Sequence, residues 1–424
     1  MKEERNLLMI LEYTCENYRS IKEKVIFSML ASKDNSFEKL LVNYRGTLIN
    51  KVAAIYGANG SGKTNFIESL YFLKLLVCNS NNYQPGDKIR QVSHKLTKPD
   101  TPTTYSIQFV KENVRYAYGL SYTSEQIISE YLYHFPNGKQ AKIFDRNLNE
   151  VSFGDKFKKD FEAILNFMKP NKLFLSVSAN YSAVKEAELV FLFFKEDLIF
   201  YPLPSEISNW LQYSIERFTK EPDLKKLFID FMKSIDTPVQ SIDTKFEKTQ
   251  MSPDFIPDHI PDEFKQFFAQ AKEITRTEAN INYGLFSVNL NEESKGIQKL
   301  FEVFGPIVDI ILKNKVLIWD EMETSLHPRI VKELLRLIMY GKQDSQAQLI
   351  FSTHDTNLLD LNTFRRDQIW FTELDKDRNT DIYSLAELKN VRKDENISKG
   401  YMNGKYGAIP FVHNPLVFPI EEER

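Results

Sequence analysis

The sequence predicts an α/β protein with a mixed sheet, a β-meander lobe and a mainly helical insertion that interrupts it. Short apolar runs alternate with helical patterns towards both ends of the chain, which is typical of a largely parallel sheet. Residues 103–145 contain aromatic and β-branched runs divided by turn residues, which is the pattern of antiparallel strands. Residues 155–270 instead show helical spacing punctuated by prolines. We therefore expect a first lobe at 1–150, an insertion at 151–280 and a second lobe at 281–424.

Three further elements are predicted within the lobes. Residues 9–30 alternate loosely between apolar and polar positions, which indicates a β-hairpin before the first buried strand. Residues 285–289 indicate a strand. Residues 328–340 indicate a helix, because Pro328 suits a first helical turn and the apolar residues that follow repeat at helical spacing.

Composition indicates a soluble globular protein. The chain has 424 residues, of which 42% are hydrophobic and 27% charged. Its net charge of −3 gives no overall basic field for nucleic acid, although a local basic face is compatible with 55 Lys and Arg against 58 acids. Cys15 and Cys78 are too few for a disulfide framework and lack metal-ligand spacing. With no membrane-length apolar run and no signal-peptide pattern, we expect a cytoplasmic protein with reduced thiols.

The first chemical signal is a glycine-rich stretch, Gly-Ala-Asn-Gly-Ser-Gly-Lys-Thr, that fits the phosphate-loop pattern G-x-x-x-x-G-K-[ST]. An apolar run at 51–56 precedes it and a helical pattern follows, so we expect a strand, a loop and a helix. Glycines let backbone N–H groups surround phosphate oxygens, and the helix start adds partial positive charge. We expect Lys63 to reach the β- and γ-phosphates and Thr64 to ligate Mg²⁺. The predicted phosphate-binding residues are Gly57, Ala58, Asn59, Gly60, Ser61, Gly62, Lys63 and Thr64.

Two acids, Asp320 and Glu321, follow the apolar run 316–319, which reads as a buried strand. Asp320 is expected to hold Mg²⁺, directly or through water, and Glu321 to act as general base on the attacking water. His354 follows a second buried run, 348–352. A polar side chain at that strand end is expected to sense the γ-phosphate through a hydrogen bond.

A further signal is the sequence Glu-Ser-Lys-Gly-Ile at 293–297, which opens a helical pattern running to Leu312. Ser294 and Gly296 at a helix start suit anion binding, and an ordinary helix N-cap explains them equally well. The Gly-Pro pair at 305–306 should kink or break this helix midway.

The order of these four signals resembles ATP-binding-cassette (ABC) ATPases of the SMC and RecF type. Further stretches resemble the stand-alone ATPases of bacterial abortive-infection and anti-phage systems, which are relatives of the OLD-family ATPase domain. The resemblance covers both ends of the chain well and the helical insertion poorly. The stretches are Asn17–Ile21, Leu173–Ser176, Asp320–Pro328 and Lys405–Pro410.

The resemblance implies an ABC-type P-loop ATPase head with ATP and Mg²⁺ as its cofactors. It implies that Lys63 and Thr64 bind phosphate and Mg²⁺, that Asp320 is the metal-side acid and that Glu321 is the catalytic one. It also implies that His354 is the switch histidine.

The resemblance further implies a site shared between subunits. Ser294 and Gly296 would contact the γ-phosphate of nucleotide held by a second subunit, and the loop Ser325–His327 would link the two sites. The motif here departs from the usual Leu-Ser-Gly-Gly-Gln. The sequence does not place the glutamine that usually follows the first lobe, and Gln91 and Gln108 are both candidates for it.

The favoured function is an ATP-hydrolysing switch or sensor in phage defence that forms a homodimer or higher homo-oligomer through its ATPase heads. Residues 355–424 are short for an appended nuclease domain, so we expect a separate, nuclease-like effector protein. One alternative is a DNA-repair or recombination ATPase that clamps DNA, and another is a scaffold that binds ATP and barely hydrolyses it. No membrane partner is expected, because the insertion and the 293–297 motif depart from transport cassettes.

Overall fold

The structure is a computed structural model in which the described residues are 7–34, 36–202, 209–249, 274–342, 344–389, 391–392 and 395–410. The chain divides into two compact units. Unit 1 comprises Met1–Pro202, Asn314–Met322 and Gln346–Arg424, and unit 2 comprises Leu203–Lys313 and Glu323–Ser345. Much of the Asp- and Pro-rich stretch at 236–262 lies outside the described residues.

Unit 1 contains an antiparallel sheet with the strand order β10-β9-β8-β7-β6-β1-β2. The inward-facing positions alternate along β6, as expected for a sheet with one face on the core. The N-terminal hairpin and the β-meander predicted from the sequence are both confirmed. The strands are β1 (Leu8–Glu16), β2 (Val25–Ser28), β6 (Thr103–Lys111), β7 (Val114–Tyr122), β8 (Ile127–Phe135), β9 (Ala141–Asn147) and β10 (Glu150–Phe153).

A second sheet of unit 1 has the order β11-β15-β16-β5-β17-β18. Its first five strands run parallel, and β18 returns antiparallel to β17. Every residue of β5, β15 and β16 is buried, as expected for parallel strands covered on both faces. The predicted, largely parallel sheet is therefore confirmed. These strands are β5 (Val52–Gly57), β11 (Leu198–Tyr201), β15 (Val316–Trp319), β16 (Gln348–Ser352), β17 (Ile369–Leu374) and β18 (Thr380–Ser384), and a separate small hairpin joins β3 (Leu41–Tyr44) to β4 (Thr47–Asn50).

Helix α1 (Lys63–Asn79) packs against both sheets of unit 1. The Tyr13 hydroxyl in β1 shares a hydrogen bond of 2.8 Å with Ser69 of the helix. Tyr71 of the helix packs edge-on against Phe200 in β11, with ring centroids 5.1 Å apart. The helix that follows the phosphate loop is thus fixed from two sides. The other helices of this unit are α2 (Lys158–Glu162), α3 (Phe174–Tyr181), α4 (Lys185–Leu192) and α9 (Ile397–Met402).

Unit 2 combines helices with a small antiparallel sheet of order β12-β13-β14. Its core is an aromatic cluster in which Phe228 lies 5.1 Å from Phe218, 5.4 Å from Phe301 and 5.1 Å from Phe304, between ring centroids. The elements are α5 (Trp210–Lys220), α6 (Pro222–Ser234), β12 (Ser241–Thr249), β13 (Ile274–Asn282), β14 (Ser287–Asn289), α7 (Lys295–Leu312) and α8 (Pro328–Tyr340). The bounds of α8 are those predicted from its N-terminal proline and apolar face.

The strand predicted at 285–289 is shorter in the structure, where β14 begins at Ser287. The preceding residues form a tight hairpin turn, in which the Tyr283 N–H donates to Phe286 O at 2.9 Å. Gly284 has a φ of 93°, which favours glycine at that position of the turn. Leu285 is therefore a turn residue and not a strand residue.

Of the two outcomes predicted at Gly305-Pro306, the break is wrong, because α7 continues through Pro306, and the kink stays a prediction. Proline has no N–H to donate to the carbonyl four residues earlier, which belongs to Glu302. The Ser214 hydroxyl of α5 donates to that carbonyl instead, at 2.8 Å. A Cβ on Gly305 would lie 2.8 Å from the Ser214 Oγ, so glycine gives α5 the room for this approach. The Gly-Pro pair thus allows α5 and α7 to pack closely against each other.

We expect Ser214→Ala to destabilise unit 2 by about 1–2 kcal/mol, because the Glu302 carbonyl would lose its donor in a buried place. Urea denaturation followed by circular dichroism measures the loss, and faster amide hydrogen exchange around Pro306 would localise it to α7. Ser234→Ala is the matched control, since its hydroxyl bonds to Phe231 O at an exposed helix end. Equal stability of both variants and the wild type would contradict this account of the continuous helix.

Candidate functional site

The carboxyl ends of four parallel strands of unit 1 meet at one edge of the second sheet. Strand register pairs Trp319 of β15 with Phe351 of β16, and pairs Phe351 in turn with Ala54 of β5. β15 and β5 are separated only by β16, so they lie roughly 10 Å apart at two interstrand spacings. The structure therefore brings the phosphate loop after β5 and the Asp320–Glu321 pair after β15 to the same edge. Open parallel sheets bind ligands at this kind of edge.

The phosphate loop runs from the end of β5 into the first turn of α1, which is the predicted strand–loop–helix context. The Lys63 ammonium lies over the loop and donates to Gly57 O at 2.8 Å and to Ala58 O at 3.1 Å. Gly62 has a φ of 107° and directly precedes α1. Lys63 is buried, whereas Asn59, Gly60 and Thr64 are exposed. The loop thus presents its outer residues and a helix start to solvent, the arrangement that suits an anion.

The floor of the loop is built by the β17–β18 hairpin, which sequence reasoning missed. The Ser61 and Thr372 hydroxyls share a hydrogen bond of 2.6 Å. The Thr380 hydroxyl donates to Ser61 O at 3.1 Å and shares a second bond of 2.8 Å with Ser20. A side chain on Gly62 would overlap Thr380, so hairpin and loop fit closely. The sequence offered only the position of Thr372 in an apolar run, because the pairing of β17 with β5 is a property of the folded sheet.

We expect Thr372→Val to weaken ATP binding about fivefold, because the nearly isosteric valine removes the hydrogen bond to Ser61 that holds the loop. Calorimetric titration of ATP into the protein measures the dissociation constant. Ser106→Ala is the control, since it removes a comparable hydroxyl pair with Thr14 in the other sheet of unit 1. An unchanged dissociation constant for Thr372→Val would show that the loop keeps its shape without this contact.

Ser352 at the end of β16 organises both acids after β15. Its hydroxyl donates to the Asp320 carboxylate and accepts from the Glu321 N–H at 2.7 Å. The Asp320 N–H donates to Tyr201 O at 2.9 Å on the other side. Glu321 has a φ of 50° and an exposed side chain, so the chain turns there and the carboxylate faces solvent. The two acids are consequently held by the strands on either side of β15.

The predicted switch histidine follows the same strand, β16. The Thr353 N–H donates to Ile55 O of β5 at 3.0 Å, and this bond continues the parallel pairing past Ser352. His354 comes next and is exposed. The structure therefore puts His354 at the same sheet edge as Lys63 and Asp320, and its role as a γ-phosphate sensor stays a prediction.

The turn Asn17–Ile21 connects three elements around a cavity beside the phosphate loop. The Asn17 carboxamide accepts from the His94 N–H at 3.0 Å and donates to Thr101 O at 2.8 Å. Arg19 donates to the Asn65 side chain at 3.4 Å and forms an ion pair with Glu68 of α1. The cavity has a volume of about 650 Å³, which suits a small ligand. Its lining includes Arg19, Ser20, Asn65, Val92, Leu96 and Arg378.

The two candidate glutamines lie in different surroundings within unit 1. The Gln91 carboxamide donates to Thr101 O at 2.9 Å and accepts from the Ser124 N–H at 3.0 Å, one residue before the cavity-lining Val92. Gln108 lies within β6 and accepts from the Arg115 side chain. The cavity therefore adjoins Gln91, and the choice between the two stays a prediction.

Ser294 and Gly296 lie at the start of α7 in unit 2. Ser294 is the N-cap, and its hydroxyl accepts from the Ile297 N–H at 3.3 Å, as in an ordinary capped helix. A Cβ on Gly296 would lie 3.1 Å from Ser325 O, so the helix start and the loop at Ser325–His327 are close neighbours. Both predicted intersubunit elements thus share one region of unit 2, and their contact with nucleotide stays a prediction.

The residues at the sheet edge fit ATP and Mg²⁺. The loop has the close approach to Thr380 that only glycine allows at position 62, and Lys63 supplies the cation. Thr64 and Asp320 offer hydroxyl and carboxylate oxygens, the ligands that Mg²⁺ prefers, and this ion keeps several waters in such sites. Among the described residues, no cluster of three or more His, Cys, Asp and Glu side chains suited to a metal occurs.

The fold and this edge define a P-loop ATPase. The chain belongs to the family described as "AAA domain, putative AbiEii toxin, Type IV TA system", whose profile matches residues 52–360. The match confirms the predicted relationship to the ATPase domains of abortive-infection systems. A search of curated proteins found no significant match.

Two solved structures are similar to this chain. The SMC head domain from Thermotoga maritima has a TM-score of 0.40 and 12% identity, over 88% of this chain and 98% of that chain. The recombination mediator protein RecF with ATP, of the RecFOR pathway, has a TM-score of 0.39 and 12% identity, over 90% of this chain and 100% of that chain. Where the chain is described, no helix is long and apolar enough to cross a membrane.

Proposed function

We propose that this chain hydrolyses ATP with Mg²⁺ at the sheet edge of unit 1. The observation that carries the proposal is the common location of Lys63, Asp320 and Glu321 at the carboxyl ends of β5 and β15, two strand spacings apart. Lys63 would bind the β- and γ-phosphates, and Glu321 would accept a proton from the attacking water. Thr64 and Asp320 would hold Mg²⁺, which when bound neutralises charge on the phosphate oxygens.

We also propose where the rest of the nucleotide binds. Asn65 both follows Thr64 in the chain and lines the cavity of about 650 Å³. A nucleoside attached to phosphates at the loop would extend into this cavity, next to Arg19 and His94. The volume of the cavity and its position one residue from the loop support this placement.

The second part of the proposal is a dimer that completes the site. Ser294 and Gly296 at the start of α7 would meet the γ-phosphate bound by a second copy, with His354 of that second copy sensing the same phosphate. A capped helix start has N–H groups without intrahelical acceptors, which favours an anion. ATP would then couple nucleotide state to assembly.

The third part of the proposal is a biological role. The family description names an AbiEii toxin of a type IV toxin–antitoxin system, which supports a role in phage defence. We propose that this chain is the ATP-dependent sensor or switch of such a system and acts with a separate, nuclease-like effector. A pull-down with the Glu321→Gln variant in Mg-ATP tests this, and recovery of DNA without an effector protein would favour a DNA-clamping role instead.

The experiment for the core proposal compares the wild type with Lys63→Ala. We expect the wild type to release phosphate from ATP in the presence of Mg²⁺, and we expect this release to stop when EDTA removes the metal. Lys63→Ala should lose ATP binding and hydrolysis, because the loop loses the cation that contacts the phosphates. Lys74→Ala, on the same helix but bonded to Leu198 O, is the matched control. Hydrolysis by Lys63→Ala at the wild-type rate would overturn the proposal.

A further inference from the structure

The turn between β13 and β14 presents two large apolar side chains to solvent. Leu285 is 97% exposed and Phe286 is 60% exposed. The backbone of this turn is well defined by the Tyr283 to Phe286 hydrogen bond, and the Tyr283 and Phe286 rings lie 5.4 Å apart. Contiguous exposed apolar residues mark an interaction surface more often than scattered ones do. We call Leu285 and Phe286 the hairpin tip.

The opening of the cavity beside the phosphate loop is also apolar, like the hairpin tip. We call this opening the apolar mouth. Val92 and Leu96 line it, and Leu96 is 60% exposed. The loop that carries both residues is held by Asn17, which accepts from the His94 N–H and the Thr97 hydroxyl. The hydrogen bonds to Asn17 therefore hold this loop in a conformation in which apolar side chains of the mouth are exposed to solvent.

The two surfaces also carry opposite charge. Lys95, Lys376 and Arg378 border the cavity together with a single carboxylate, that of Asp377, so the cations are in excess. The segment from the hairpin tip to the N-cap of α7, residues 285–294, contains Glu292 and Glu293, and Lys295 follows as the first residue of the helix. Such complementarity favours one specific pairing of surfaces and speeds their encounter.

Both surfaces lie close to the two halves of the shared site. The Tyr283 hydroxyl at the base of the hairpin tip donates to Glu293 at 2.7 Å, one residue before Ser294. The cavity begins at Asn65, one residue after Thr64. If Ser294 of one copy meets the γ-phosphate held by another copy, the hairpin tip of the first comes close to the phosphate loop of the second, beside which the cavity opens. This step rests on the dimer of the proposed function.

We propose that the hairpin tip of one copy covers the apolar mouth of the cavity on a second copy of this chain when ATP closes the dimer. By two-fold symmetry the contact occurs twice, with each copy giving a tip and receiving one. The tip would exclude water from the bound nucleoside, and its withdrawal would open the path for nucleotide exchange. Closure of the dimer and retention of nucleotide are thereby linked.

The test uses the Glu321→Gln protein, which retains ATP, as the parent. Analytical ultracentrifugation in Mg-ATP gives the dimer dissociation constant of this parent and of the same protein with Leu285→Ser and Phe286→Ser. We expect at least a tenfold weaker dimer from the loss of four apolar side chains per dimer, with ATP still bound by the monomer. Leu227→Ser is the matched control, since Leu227 is an exposed leucine on α6 of the same unit.

Dimerisation of the double variant as tight as the parent overturns this inference alone. If the parent stays monomeric in Mg-ATP, both the proposed dimer and this inference are overturned. ATP hydrolysis by the wild type is a separate measurement, which tests only the proposed ATPase activity. Circular dichroism checks that the double variant is folded. If it is not, the cross-linking experiment decides.

Cross-linking tests the contact directly with Leu285→Cys and Leu96→Cys in one chain. Cys78→Ser removes the half-buried native thiol, and Cys15 is fully buried. We expect a disulfide-linked dimer under mild oxidation in Mg-ATP and little without nucleotide. Leu285→Cys with Leu148→Cys is the control, because Leu148 is an exposed leucine of unit 1 outside the cavity. No link for the 285–96 pair, or equal links for both pairs, would overturn the inference.

Discussion

Replacing Glu321 by glutamine is expected to lower ATP turnover by about 100-fold or more while ATP still binds. Glutamine keeps the shape of the side chain but does not accept the proton of the attacking water, and general bases contribute about 10²–10⁴-fold to rate. The backbone of Glu321 should stay in place, since its N–H bonds to Ser352 Oγ and this contact does not involve the carboxylate. Steady-state phosphate release gives the turnover, and calorimetry gives the affinity for ATP.

Glu333→Gln is the matched control, because Glu333 is paired with Arg336 on the outer surface of α8. It should leave turnover unchanged. If the turnover of Glu321→Gln lies within tenfold of that of the wild type, Glu321 is not the general base. Loss of ATP binding in Glu321→Gln would point to a structural role of the carboxylate at the sheet edge.

Replacing Glu130 by glutamine is expected to destabilise unit 1 by about 3–5 kcal/mol, the usual cost of breaking a buried ion pair. The Glu130 and Arg146 side chains are fully buried, and their charged groups lie 3.7 Å apart. Burial raises the pKa of Glu130, and the nearby Arg146 guanidinium opposes that shift. Loss of the carboxylate would leave the Arg146 charge without a counter-ion in the core.

The same carboxylate holds the start of α3, which lies in the stretch Leu173–Ser176 singled out in the sequence. Glu130 accepts from the Phe174 N–H at 2.6 Å and from the Leu175 N–H at 2.9 Å. Chemical denaturation followed by circular dichroism measures the loss. The exposed pair Lys158–Glu162 provides the control, with Glu162→Gln expected to have no measurable effect. An equally small effect of Glu130→Gln would mean that water or a neighbouring group compensates Arg146.

Features of the fold that depend on local patterns were predictable from the sequence. The strand, loop and helix at 52–79 follow from an apolar run, a glycine pattern and helical spacing within one short stretch. Helix α8 has its predicted bounds because Pro328 suits the first helical turn and the apolar residues repeat at helical spacing. The parallel sheet followed from the alternation of such segments.

Features that depend on distant partners were not predictable. The sequence around Pro306 does not indicate that Ser214, on another helix, donates a hydrogen bond to the carbonyl that proline leaves without one. Similarly, Thr372 and Thr380 lie in an ordinary hairpin, and their contact with Ser61 exists only once β17 pairs with β5. Ser352 is the last residue of the buried run before His354, and its hydroxyl organises both acids only when β16 lies beside β15. The charged groups of the site can be located from the sequence, whereas the hydroxyl groups that support them are brought into contact only by the pairing of strands in the folded sheet.

The position of β5 has a consequence for biosynthesis. In the described chain β5 is hydrogen-bonded to β16 and β17, whose residues leave the ribosome long after it. At typical elongation rates this delay is roughly 15–60 s. Throughout that interval the fully apolar segment Val52–Tyr56 has no neighbouring strand and needs shielding by the nascent chain or a chaperone. ATP binding should accordingly mature only when translation has passed β17, so ribosome-stalled chains that stop before Ile369 should not retain nucleotide.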